Sequence, residues 1–382
     1  MIVDELFPIY GAIAGDMIGA PYELKGTRIK DIRFPIVKSN SLPTDDTIQT
    51  VAMMKWVTTR EFESEDLVDI LKTLCLKYPD AGYGHSYKMW LRSLNSEPYN
   101  SFGNGSAMRV APIAVCATSI NDVLELAQKS AEITHNHPEG IKGAQAVAAA
   151  TYLAYHGFTK SNIREFVSTR FGYNLNDTIE NIRKTYSFDS SCQGSVPQAI
   201  IAFLESVDFE DAIRLAVSLG GDADTQASIA GAIAGAFYKD IPCEIINWVH
   251  NHVISEFKEI EPLYIETLND LKSLGHQMCL ITKRDMYMRG CQTYTFAATD
   301  FRYTYVPSGT RLYIDLKNMK ESKWIPCKVL NNQEIISTQF IEEANVIAPG
   351  EIESLYSAGI YISSTQFDEV KIDIVNPLDI NP

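Results

Sequence analysis

Two short stretches of the chain gather like charge. Thr44-Asp45-Asp46-Thr47 sets two aspartates side by side between threonines. Asp222-Ala223-Asp224-Thr225 sets two more one residue apart, after Gly220-Gly221. In each, a glutamine follows the closing threonine within two positions, as Gln49 and Gln226.

Each stretch has a local explanation when taken alone. Pro43 precedes the first, and the apolar helix pattern Ile48, Val51, Ala52, Met54 follows it. Thr44 suits an N-cap, and Asp45 and Asp46 would sit in a first turn, where the helix dipole favours negative charge. The second stretch also opens a helix, but a cap uses one acid of an Asp-x-Asp pair, not both. If the two helix starts face one another, four carboxylates and two threonine hydroxyls converge. Like charges in a partly desolvated site repel strongly and take up protons unless a cation is present. Oxygen donors with no Cys or His suit Mg²⁺, Mn²⁺ or Ca²⁺. Four negative charges match two divalent ions, and a pair of ions about 3.5–4 Å apart is a catalytic clamp. Only folding can bring residues 45 and 222 together.

Other residues carry weaker signals. Glu23, after Pro21-Tyr22, is either a surface acid or an acid–base group. Gly103-Asn104-Gly105-Ser106 is either a turn or a glycine-rich helix start whose N–H groups suit a diphosphate. His135 and His137 read as loop hydrogen-bonders, Arg109 as a helix-surface ion pair, and Asp16 as a hydrogen-bond acceptor between closely packed helices. Tyr83, His85 and Trp90 read as aromatic packing.

The elements that must position these groups are helical as far as about residue 272. Segments such as AVAAATYLAYHGF (146–158) and ASIAGAIAGAFY (227–238) repeat apolar residues at three- and four-residue steps, with glycine near several ends. Gly-Ala-Ile-Ala-Gly occurs at 11–15 and again at 231–235, a spacing that lets two helix backbones approach closely, so both read as central helices. From about 276 the texture becomes alternating and β-branched, as in TYTFAA (293–298), FRYTYV (301–306), RLYIDL (311–316), KWIPCKVL (323–330), EIISTQF (334–340), IYISST (360–365) and VKIDIV (370–375). The expectation is an all-α domain over 1–272 followed by a small β-rich domain over 276–382.

The chain has 382 residues and a formal net charge of −15, which argues against a nucleic-acid backbone or an anionic membrane as the main partner. Residues 276–382 hold 13 acids and 10 bases, so most of the negative charge falls in the helical part. The N-terminus has early acids and no basic leader, no apolar run is long enough to span a bilayer, and the seven cysteines form no CxxC pair. A cytoplasmic protein with reduced, mostly buried thiols is expected.

In this order and spacing, GAIAGDMIGAPYE (11–23), PTDDTIQT (43–50), GNGSAMRVAPIA (103–114), THNHPEGIKGAQAV (134–147) and GGDADTQASIAGAIAGAFY (220–238) resemble the ADP-ribosylglycohydrolase family, which includes dinitrogenase-reductase activating glycohydrolases and ADP-ribosylarginine hydrolases. The resemblance covers about residues 5–260. It implies an all-α fold with two Mg²⁺ or Mn²⁺ ions in a cleft, ligated by Thr44, Asp45 and Asp46 from one side and by Asp222, Asp224 and Thr225 from the other. It implies Glu23, or Asp46, as the acid–base group. Gly103, Asn104, Gly105 and Ser106 would lie against ADP-ribose, and His135 near the ribose. The implied reaction is hydrolysis of the glycosidic bond between ADP-ribose and an acceptor on a protein or small molecule. A silent ADP-ribose-binding module and a two-metal phosphoester hydrolase are the competing readings.

Overall fold

The computed structural model describes residues 3–38 and 40–275 and, in the rest of the chain, seven strands between Gln277 and Ile372. The chain forms two compact units, Met1–Leu268 and Asn269–Pro382. Fourteen α-helices are described: α1 (Phe7–Gly19), α2 (Asp45–Thr59), α3 (Ser64–Cys75), α4 (His85–Arg92), α5 (Ala111–Cys116), α6 (Ile120–Glu132), α7 (Pro138–Tyr155), α8 (Lys160–Phe171), α9 (Ile179–Thr185), α10 (Cys192–Glu205), α11 (Phe209–Val217), α12 (Ala223–Tyr238), α13 (Cys243–His252) and α14 (Ser255–Gly275). The all-α reading of the first 270 or so residues holds.

Its centre is the pair α1 and α12. Every residue of α1 is buried, and so is α12 from Ala223 to Ala236, as befits helices apolar or small all round. The small residues explain why these two segments meet. A Cβ on Gly11 would strike the carbonyl of Gly231, one on Gly15 that of Ala227, and one on Gly19 that of Ala223. Each step forward on α1 is a step back on α12, so the helices run antiparallel with their backbones touching. This register sets the end of α1, with Asp16, beside the start of α12, with Asp222 and Asp224.

α2 and α5 pack on α1, while α7, α10 and α11 pack on α12. The amphipathic outer helices follow their periodicity: α3 buries Leu67, Leu71, Leu74 and Cys75, and α6, capped by the Ser119 side chain on the Asp122 N–H, buries Val123, Leu126, Ala127 and Ala131. Tyr83 and Trp90 are core residues, with Tyr83 stacked on Tyr87 at 5.6 Å, whereas His85 is exposed. No described helix is long and apolar enough to cross a membrane. Of the described cysteines, Cys75, Cys116 and Cys192 are buried and Cys243 is exposed, all as free thiols.

In the second unit the described backbone forms β1 (Gln277–Ile281), β2 (Met286–Cys291), β3 (Phe301–Val306), β4 (Arg311–Asp315), β5 (Trp324–Asn331), β6 (Glu334–Glu342) and β7 (Lys371–Ile372). One antiparallel sheet has the order β6-β5-β4-β1-β7, and β2 pairs with β3 from Met286 opposite Val306 to Cys291 opposite Phe301. The segments 293–298 and 360–365, expected as strands, lie outside the described residues.

Candidate active site

Asp16 organises one side of the site. It is fully buried near the end of α1, and its carboxylate accepts four hydrogen bonds from the start of α2. Thr44 donates its N–H at 2.9 Å and its hydroxyl at 2.6 Å, and Thr47 donates its N–H at 3.1 Å and also its hydroxyl. An Asp16 oxygen lies within 4.8 Å of oxygens on Asp46 and Asp224. Through these bonds Asp16 anchors the start of α2, the acceptor role the sequence suggested. Thr44 also caps α2, accepting from the Asp46 N–H at 3.3 Å. The capping reading of TDDT is therefore correct for Thr44 and leaves both aspartates over.

Asp222, the residue before α12, makes no side-chain cap to that helix. Its Oδ2 accepts from Asn104 Nδ2 at 2.7 Å, and the same amide donates to Ser195 Oγ at 3.1 Å. The capping explanation fails there, and Asp222 is aimed by the glycine loop instead. Asp224 Oδ1 accepts the neighbouring Thr225 N–H at 2.9 Å. Thr225 Oγ1 donates across to Asp46 Oδ2 at 3.3 Å. The two motifs thus face one another. Carboxylate oxygens of Glu23, Asp222 and Asp224 also lie within 4.8 Å of one another.

Asp46, Asp222, Asp224 and Thr225 are buried, while Thr44, Asp45 and Glu23 are half-buried at the rim. Burial, reinforced by the neighbouring acids, holds the Asp46 and Asp224 carboxyls well above the usual range. Burial, then the charges of Asp16 and Asp222, pushes Asp45 up to about 8. Burial and Asp222 also raise Glu23, against the opposing charge of Arg28, whose Nε donates to the Glu23 carbonyl at 2.8 Å and whose guanidinium lies 4.4 Å over the Phe188 ring.

The donor set fits hard divalent cations. Asp46 Oδ1 is buried without a hydrogen-bond partner, and Asp224 Oδ1 accepts the adjacent Thr225 N–H. Buried carboxylate oxygens outnumber the donors around them, which is costly without a compensating positive charge.

The glycine loop departs from the expectation in two respects. Gly103 and Asn104 N–H are already donated, to Ser101 Oγ at 3.1 Å and to the Ser190 carbonyl at 2.8 Å. Ser106 is fully buried and donates its hydroxyl to the Gly140 carbonyl at 2.8 Å, so its side chain holds the loop rather than facing outward. His135 sits behind the loop, with Nδ1 2.7 Å from Thr134 Oγ1 and Nε2 against Gly105, where a Cβ would come within 3.2 Å. Burial drives its pKa well below the ordinary histidine value, so it is neutral. His137 caps α7, accepting from the Glu139 N–H at 3.1 Å.

Arg109 corrects the sequence reading outright. It is fully buried and donates to Gln49 Oε1 at 2.8 Å, the Ser130 carbonyl at 2.6 Å and Thr134 Oγ1 at 3.2 Å. Sequence reasoning also passed over Phe102, an exposed aromatic ring edge-on to His137 at 5.4 Å. Its signal was an aromatic residue immediately before a glycine loop.

An antiparallel helical core presses two acidic helix starts together around a buried carboxylate cluster. The ADP-ribosylglycohydrolase family profile matches residues 9–276, and the chain belongs to that family. It is similar to ADP-ribosylhydrolase ARH3 of Homo sapiens, 28% identical over 306 residues, covering 60% of this chain and 83% of that protein. An uncharacterized protein of Archaeoglobus fulgidus is 32% identical over 263 residues, covering 60% of this chain and 85% of its own. A solved structure described as an ADP-ribosylglycohydrolase-related protein complex superimposes with a TM-score of 0.55 at 26% identity, covering 70% of this chain and 97% of that one.

Proposed function

We propose that the protein is a divalent-cation-dependent hydrolase that cleaves the glycosidic bond between ADP-ribose and an acceptor, such as an arginine side chain, and so reverses ADP-ribosylation. The observation that carries this reading is the Thr225–Asp46 hydrogen bond, which closes two acidic motifs into one cluster. Thr44, Asp45 and Asp46 on one side and Asp222, Asp224 and Thr225 on the other would hold two Mg²⁺ or Mn²⁺ ions. When bound, the ions supply Lewis acidity and a template for the ribose hydroxyls.

The chain's own residues supply the rest. Glu23 is half-buried, and burial with the neighbouring Asp222 raises its pKa, the direction that suits a group that takes a proton from the attacking water or gives one to the leaving group. Asp46 is the alternative base, although the Thr225 hydroxyl already occupies one of its oxygens. The surrounding carboxylates offset positive charge developing at the anomeric carbon. With the Gly103 and Asn104 N–H groups engaged and Ser106 buried, a diphosphate would meet the loop at Gly105. The exposed Phe102 ring offers a stacking face for the base. We also propose that residues 276–382 form a β-rich appended domain.

The test is incubation with ADP-ribosyl-arginine, ADP-ribosyl-serine and ADP-ribose, with Mg²⁺ or with EDTA. Release of ADP-ribose only with metal supports the reading. Binding of ADP-ribose without turnover of any substrate would mark a silent module, and release of AMP would mark a phosphoester hydrolase.

A further inference from the structure

Arg109 is a buried cation whose hydrogen-bond partners are all neutral: the Gln49 amide oxygen, the Ser130 carbonyl and the Thr134 hydroxyl. Its Nε has no partner at all. A guanidinium taken out of water at such a position is costly, and an apolar residue of the same size would pack there at less cost. What the arginine does provide is direction. A guanidinium only donates, so its contact obliges the Gln49 amide to present oxygen to Arg109 and its NH₂ to the other side. That side is Asp45: Gln49 Nε2 donates to Asp45 Oδ2 at 3.1 Å, one helical turn back along α2.

We propose that Arg109 is a positioning residue for Asp45, acting through the side-chain amide of Gln49. The contact occupies Asp45 Oδ2 and thereby fixes which carboxylate oxygen remains for the site. The Asp45 N–H is held separately by the Ala81 carbonyl at 2.7 Å, and Oδ1 lies against Gly82, where a Cβ would come within 3.3 Å. Backbone, amide and glycine together restrict how the carboxylate can turn. The other end of the relay reaches the substrate loop, since Thr134, which accepts from Arg109, is itself bonded to His135 behind Gly105. Arg109 therefore ties the aim of Asp45 to the placement of the loop that would carry ADP-ribose.

This inference rests on the proposed metal-dependent function, and the experiment separates the two. Mn²⁺ binding is measured by calorimetry on the wild-type protein and on Gln49→Met and Gln49→Glu, alongside the melting temperature of each without metal. Gln49→Met removes both hydrogen bonds. Gln49→Glu keeps an acceptor for Arg109 at the same length but has no N–H for Asp45. Partners of metal-ligating carboxylates are worth about 10–100-fold in metal affinity, so Mn²⁺ should bind about tenfold or more weakly to both folded variants. It should do so in Gln49→Glu despite the added negative charge, which by itself would tighten binding. Unchanged or tighter binding in Gln49→Glu overturns the relay, whatever happens to the melting temperature. Absence of Mn²⁺ binding by the wild-type protein would instead overturn the metal-dependent function.

Discussion

Thr225 Oγ1 donates to Asp46 Oδ2 at 3.3 Å, joining residues 179 positions apart at the point where two acidic helix starts meet. Asp46 Oδ1, on the same carboxylate, is buried without a partner. Without metal this group is a source of repulsion, so Asp46→Asn should raise the melting temperature of the metal-free protein by a few degrees, about 1 kcal/mol. The same change should remove the stabilisation that Mg²⁺ gives the wild type by mass action and lower turnover about 100-fold or more. Thermal melts with and without Mg²⁺ check this, and a lower metal-free melting temperature would count against it.

The acids also set a pH dependence. The folded pKa of Asp45 is pushed up to about 8, against about 3.9 for an unfolded carboxyl, so the folded state holds more protons between those values. Stability contributed by such a group is present at low pH and lost as pH rises through the folded value. Asp46 and Asp224, also raised, act in the same direction. Below about pH 6.5, buried neutral His135 opposes the trend, because the unfolded histidine takes up a proton that the folded one refuses. The metal-free protein should therefore melt several degrees higher at about pH 6.5 than at about pH 8, and saturating Mg²⁺ should shrink the difference. Calorimetry in EDTA at the two pH values measures it.

Asn104 holds Asp222 rather than standing free in the loop. Asn104→Ala should weaken Mn²⁺ binding and lower turnover about 10–100-fold. If Asn104 served only the substrate, KM would rise while Mn²⁺ affinity stayed at the wild-type value, and a joint titration of metal and substrate distinguishes these results.

The contact of α1 with α12 leaves no room for a methyl group. Gly15→Ala would press a Cβ into the Ala227 carbonyl, backbone against backbone, at a cost of about 3 kcal/mol or more. Because the same register places Asp16 and Glu23, metal affinity should fall as well. Gly84→Ala, where nothing lies within 4 Å, is the control and should cost about 1 kcal/mol or less. Denaturant melts of both variants give the comparison.

If residues 276–382 recruit modified proteins, a chain ending at Gly275 should retain turnover of ADP-ribosyl-arginine within about twofold and lose turnover on an ADP-ribosylated protein. Equal losses on both substrates would argue for a purely structural part.

The helices of the first unit were legible because their burial follows local periodicity, as in α3 and α6. The α1–α12 pair was legible for a different reason: only glycine and alanine allow backbones to touch, so the twice-repeated Gly-Ala-Ile-Ala-Gly announced a close approach. Arg109 was misread because helical neighbours do not disclose burial. Nothing near it in sequence shows that Gln49, Ser130 and Thr134 gather around it.

By itself, the sequence determined which residue types could share a cation and which helices could meet, since charge, oxygen donors and the lack of a Cβ are properties of the residues. Tertiary structure alone decided what each acid does. Asp16 became an anchor because the start of α2 donates to it, Asp222 left its helix uncapped because its carboxylate accepts from Asn104, and Asp46 kept an unpaired oxygen because the Thr225 hydroxyl from α12 donates to the other. These outcomes depend on distances between segments far apart along the chain, and the antiparallel register of two glycine-lined helices sets those distances.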